Sequence, residues 1–276
     1  MLPQAVSDHY RARQRLIVAT LGLVRREWSS MGDDLDASWA RIGPRIALVT
    51  ASAQLGAARG GADYIPAALA QQQQTVKPTA QVQPRGLVGL ASDGRPLESL
   101  LYGAVIHART ADAASFAERL EFGRKWLDSV VQSTISDASR DAAKLAMTVR
   151  PGVRYVRFVN PPCCQRCAVL SGEAREYSHP FQRHPRCDCS MIPTTVANPH
   201  FAGEKLGAGD VTDLTRKQKQ ALADGENFHS TINDYQRKRA AFSGYTPPTR
   251  VDKVIDRAGQ RDKAAAALAD LGLLIP

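Results

Sequence analysis

The chain lacks any run of about 18 uncharged apolar residues, and that alone excludes a membrane-spanning helix. The opening MLPQAVSDHYRARQR meets charge before any apolar run, so a secretory signal peptide is not expected. The metalloprotease pattern H-E-x-x-H and the nucleophile elbow G-x-S-x-G are both missing. So is the H-x-E that would have to precede P-C-x-x-C in a zinc deaminase. No segment of 20 to 50 residues repeats, which excludes solenoid and propeller architectures. Cysteine is scarce: five in 276 residues, all between Cys163 and Cys189. A disulfide-stapled secreted domain spreads its cysteines through a smaller chain, and an odd count leaves one over.

What is present reads as a folded, basic protein. Apolar residues are 43% and charged residues 23% of the chain, with Lys and Arg exceeding Asp and Glu to give +9. That excess favours an acidic partner such as nucleic acid and says nothing about fold.

Helical periodicity dominates. Tyr10, Ile17, Leu21, Val24 and Trp28 share one face, with Arg11, Arg13, Arg15, Arg25 and Arg26 on much of the rest. After the SSMGDD break, Leu35, Trp39, Ile42, Ile46 and Val49 repeat at helical spacing, and Pro44 predicts a kink or restart near Gly43. Residues 75–96 carry Pro78, Pro84 and Pro96 and read as an extended arm or linker between helical regions 1–74 and 97–198. From Leu97 to Met147 the stripe Phe116, Leu120, Gly123, Leu127, Val130, Thr134 predicts at least two helices or one long broken one. VRYVRFV then reads as a strand, with SMIPTT as its pairing partner. Residues 199–276 turn helical and basic again. The fold class expected is mainly α (α+β), with long helices around a small β-containing, metal-stapled module in the centre.

That module is NPPCCQRCAVLSGEAREYSHPFQRHPRCDCSMIP. Cys164 and Cys167 form C-x-x-C, Cys187 and Cys189 form C-x-C, and His184 precedes Cys187 by three. Two ligands on a tight turn, a loop, then two more is the spacing of a structural Zn²⁺ site, where four ligands close a tetrahedron. Cys163 and Cys164 compete for the first position, and His184, Cys187 and Cys189 for the last two. Rival readings are a redox-labile disulfide pair and unmetallated buried thiols. Thiolate donation and a filled shell reduce Lewis acidity, so the ion reads as structural and not catalytic. Glu173 and Glu176 read as solvated loop carboxylates, and His179 as an exposed loop residue. Ser171 with His179 or His184 and Asp188 is the compact candidate set for a protease. Arg150, Arg154, Arg157, Arg166, Arg175, Arg183 and Arg186 outnumber the local acids, and Arg216, Lys217, Lys219, Arg237, Lys238 and Arg239 add a second basic region. Such faces either bind phosphates through counterion release or are simply solvated.

The order strand, Cys164-x-x-Cys167, Leu170-x-Gly172, His184-Pro185-x-Cys187-x-Cys189, Pro193 resembles the MuF-like head-morphogenesis or minor capsid proteins of tailed phages. The likeness covers roughly residues 152–195, and DLDASWARI and LTRKQKQALADGENFHSTIND look like the actinobacteriophage branch. That branch includes proteins labelled capsid maturation protease. The resemblance implies a few-copy virion protein at the capsid interior or portal vertex, assembling in the host cytoplasm. Its implied partners are the portal and the major capsid or scaffold protein, with non-specific DNA contact and no membrane. A zinc-containing nucleic-acid-binding protein is the remaining alternative.

Overall fold

The computed structural model describes residues 2–172, 174–197, 199, 201, 206–228, 230–232 and 246–276. Two long helices open the chain, α1 (Gln4–Trp28) and α2 (Leu35–Gln71), and Asp34 caps the second by accepting from Ala37 N. The expected restart at Pro44 does not occur: α2 runs unbroken past both Pro44 and Pro66. Each proline forfeits one backbone donor, and the packing of a 37-residue helix on its neighbours outweighs that loss.

Residues 75–96 are packed and are not a free arm. A strand β1 (Gln81–Val82) pairs antiparallel with β5 (Leu274–Ile275), at the far end of the chain. A 3₁₀ turn, Pro84–Leu87, follows, and Leu87 and Ala91 are buried. Proline and glycine density marked irregular backbone here, but the partner strand lies too far along the sequence to be read locally.

Next come α3 (Leu97–Leu101), α4 (Gly103–Thr110) and α5 (Phe116–Thr148), the last opened by a capping box between Ser115 and Glu118. The first half of α5 buries the predicted stripe through Gly123, Leu127, Val131 and Thr134. From Thr134 to Thr148 every residue is buried, including Asp137, Arg140, Asp141 and Lys144, so this half is the axis of the molecule. At its middle, α2 crosses so closely that a Cβ on Gly61 would run into the Ser139 carbonyl.

The predicted strands form as expected. β2 (Arg154–Phe158) is central in a three-stranded antiparallel sheet, flanked by β3 (Ala174–Glu176) and β4 (Ser190–Thr194), with Tyr155 opposite Pro193 and Val156 opposite Ile192. A one-turn helix α6 (Gln165–Ala168) sits between β2 and β3. Later come α7 (Arg216–Ala223), α8 (Arg250–Ala258) and α9 (Arg261–Asp270). The mainly helical α+β class is therefore observed. No described helix is long and apolar enough to cross a membrane.

Three apolar clusters share the long helices. One joins α1, α2, α4 and α5 through Ile17, Ile42, Ile46, Val105 and Leu127. A second packs the sheet and the cysteines against Ile65, Leu69 and Met147, and a third seats α8 and α9 on Leu145 and Val149.

Candidate metal centre

Two turns bring the cysteines together. The first follows β2: Cys164 precedes α6, and Cys167 lies within it. It is held by the later chain, since Asp213 Oδ1 accepts from the Gln165 backbone N at 2.7 Å and Gln218 Nε2 donates to the Gln165 side-chain Oε1 at 2.9 Å. The second turn leads into β4. Arg186 takes a left-handed conformation, φ 61°, a strained choice for a non-glycine residue. Helix α5 holds it there: Arg186 N donates to Ser133 Oγ at 3.0 Å, and Gln132 Nε2 donates to Arg186 O.

The donors form two overlapping trios that share Cys167: Cys164, Cys167 and His184, and Cys167, Cys187 and Cys189, each within 4.8 Å of one another. Cys167 Sγ lies 3.7 Å from Cys187 Sγ. Thiolates bound at about 2.3 Å to one tetrahedral ion stand about 3.8 Å apart, so this edge fits a shared metal. His184 Nε2 is 3.1 Å from Cys164 Sγ and 3.3 Å from Cys167 Sγ. Its Nδ1 lies 2.9 Å from the Pro185 carbonyl. A proton on Nδ1 donated to that carbonyl leaves the Nε2 lone pair facing the sulfurs, the orientation a ligating imidazole needs. These residues could hold a metal ion.

The electrostatics agree. Hydrogen bonds accepted from Cys167 and His184 hold the Cys164 thiol down to about 4 against the opposing effect of burial. Cys187 is pulled well below the ordinary thiol range by hydrogen bonds from Cys167 and Cys189, with Arg140 and Arg157 adding to them. Cys167, placed between those two thiolates, is raised and keeps its proton. A metal ion would take the place of that proton. His184 is raised: burial disfavours its charge, but the Cys164 hydrogen bond and the Cys187 and Cys164 charges outweigh it.

Cys163 is not part of the cluster. Its backbone pairs with Asp210 and Thr212, and its side chain is buried in the apolar core. Burial, and then the neighbouring Cys164 charge, push its thiol up to about 12. All five cysteines are free, which disfavours the disulfide reading. His179 belongs to neither trio and contacts Arg175 at 3.0 Å. Glu176 pairs with Arg154, while Glu173 lies outside the described residues.

No protein-family model matches the chain, and neither does any curated protein or solved structure.

The protease set does not assemble. Ser171 Oγ donates to Ala168 O at 2.7 Å, Asp188 accepts from Tyr10 at 2.7 Å, and His184 faces the sulfurs. The basic face is also reduced. Arg150, Arg157 and Arg183 are buried and cannot meet a phosphate backbone, whereas Arg186, Arg216, Lys217 and Lys219 are exposed. Arg237, Lys238 and Arg239 lie outside the described residues.

Arg13 is the largest departure from the sequence reading. Placed there on the polar face of α1, it is 2% exposed and lies in register with Val6, His9, Ile17, Thr20 and Val24. It donates to the second turn together with Arg140, whereas Arg157 donates to Gln182 O. The available signal was a cation at the i, i+4 spacing of an apolar stripe.

Proposed function

We propose that this chain is a MuF-like head-morphogenesis or minor capsid protein of a tailed phage, stapled by a structural Zn²⁺. The observation that carries the reading is the convergence of C-x-x-C and H-P-x-C-x-C into two donor trios that share Cys167. Four of Cys164, Cys167, His184, Cys187 and Cys189 would bind the ion. Zinc fits this donor set best, because it takes thiolate and imidazole in tetrahedral geometry without redox chemistry. A thiolate-rich shell with every position filled stabilises the fold and leaves no open position for substrate. The chain would then act in procapsid assembly near the portal, meeting the portal and the capsid or scaffold protein. The exposed cations of α7 offer non-specific contact to packaged DNA.

Two measurements test this reading. Protein purified without chelator should carry about one zinc per chain; a folded, metal-free product would reject the staple. Co-expressed with the portal, scaffold and major capsid proteins of its own genome, the chain should enter procapsids in few copies. Heads that exclude it, or capsid protein cleavage abolished by Ser171→Ala, would reject the assembly role.

A further inference from the structure

The C-x-C turn presents three successive carbonyls inward, and each is taken by a buried guanidinium from a long helix. Arg140 on α5 donates through Nη2 to Cys187 O and through Nε to Cys189 O, the latter at 2.9 Å. Arg13 on α1 donates through Nη2 to Asp188 O, between them. Arg157 on β2 donates to Gln182 O, and its guanidinium lies 3.9 Å above the Phe181 ring. All three arginines are at most 5% exposed.

Their charges are poorly matched by carboxylates. Asp137 is shared, 2.9 Å from Arg140 and 2.7 Å from Arg183. Arg13 and Arg157 form no ion pair among the described residues, and Arg13 Nε, Arg13 Nη1 and Arg157 Nη1 have no hydrogen-bond partner there. A buried unpaired charge costs several kcal/mol, so a counter-charge must lie close by. Asp188 beside Arg13 and the cysteine cluster beside all three are the anionic groups these arginines face. A divalent ion with three thiolates and one imidazole carries −1, and with four thiolates −2, so either shell supplies the missing charge.

We propose that Arg140, assisted by Arg13, is the positioning residue of the metal site: it fixes the Cys187–Cys189 turn by its carbonyls and favours a net-negative, thiolate-rich shell. This rests on the metal reading above. Arg140 touches no ligand atom and acts through the backbone that carries two of them, as outer-shell partners of metal ligands do.

The test measures Zn²⁺ affinity of the full chain by competition with a chromophoric chelator, and records the Co²⁺-loaded absorption spectrum as a signature of the shell. Arg140→Met should weaken Zn²⁺ binding by about 10- to 100-fold, the usual cost of losing an outer-shell partner, and alter the Co²⁺ spectrum. Arg140→Lys keeps the charge but cannot bridge two carbonyls, so it should fall between. Lys144→Met is the control. It removes a buried cation one turn further along α5 that pairs with Asp252 and does not reach the turn. That variant should lower Tm yet keep Zn²⁺ affinity within about twofold, since it leaves the outer shell intact. Unchanged affinity in folded Arg140→Met, or an equal loss in Lys144→Met, overturns the proposal. Should Arg140→Met fail to fold, Arg13→Met decides on the same readout: about tenfold weaker binding supports it, and unchanged binding overturns it. A wild-type chain that takes up no Zn²⁺ defeats the metal reading itself, a result distinct from the others.

Discussion

The two cysteine turns carry equivalent pairs of candidate ligands but are anchored in different ways. Cys164 and Cys167 are held by amide and carboxylate groups of the later chain, chiefly Asp213 and Gln218. Cys187 and Cys189 are held by cations of the helical core. The first anchor is neutral or acidic and half-buried; the second is cationic and sealed. An ion held between them would therefore join the rigid helical framework to the C-terminal segment. The difference teaches that the candidate site has a stiff wall and a soft one.

The sharpest way to break this comparison is to remove the residue common to both sides. Cys167→Ser should abolish stoichiometric zinc binding and cost the module most of its stability, because metal binding supplies folding energy. Cys163→Ser, one turn away but outside the cluster, should cost only about 1 kcal/mol, the penalty for a buried hydroxyl. Equal losses by thermal denaturation would erase the distinction between ligand and bystander.

Acid should act on the stiff wall. His9 stacks on Tyr64 with ring centroids 4.1 Å apart and contacts Ser139 Oγ at 2.9 Å. Burial, then the Arg13 charge, lower it to about 3 from an ordinary 6.5. The unfolded chain therefore binds the extra proton across that window. Stability is fully present above about pH 6.5 and falls as pH drops toward 3, by at most about 1.4 kcal/mol per unit. Urea titrations at successive pH values should show His9→Gln flattening this limb; an unchanged slope would remove His9 from the account.

The soft wall should show the smallest effect. Asp213→Ala removes the acceptor for Gln165 N and should cost about 1 to 2 kcal/mol. Its loss of Zn²⁺ affinity should be smaller than that of Arg140→Met. The reverse ranking would invert the assignment of stiff and soft sides.

The Cys/His cluster and the central strands were legible because both are local patterns. C-x-x-C, C-x-C and an apolar run such as VRYVRFV express their structure within a few residues. The stripes of α2 and of the first half of α5 were legible for the same reason. Arg13, Arg140 and Arg157 were not. A charged residue in sequence reads as surface, and its burial here depends on thiolates far along the chain. The packing of residues 75–96 escaped likewise, since β1 finds its partner only at Leu274 and Ile275. Long-range pairing leaves no periodic trace, and charge balance leaves one only where the cation falls in register with an apolar stripe, as Arg13 does.

The tight crossing at Gly61 bears on the site from a distance. Ser139, whose carbonyl closes against that glycine, immediately precedes Arg140 on the same helix. Interiors packed this densely pass displacement on instead of absorbing it. Even one methyl group at position 61 would wedge the long rods apart and carry the neighbouring guanidinium out of reach of its acceptors. How firmly an ion would be gripped thus depends on a bare hydrogen atom on another helix.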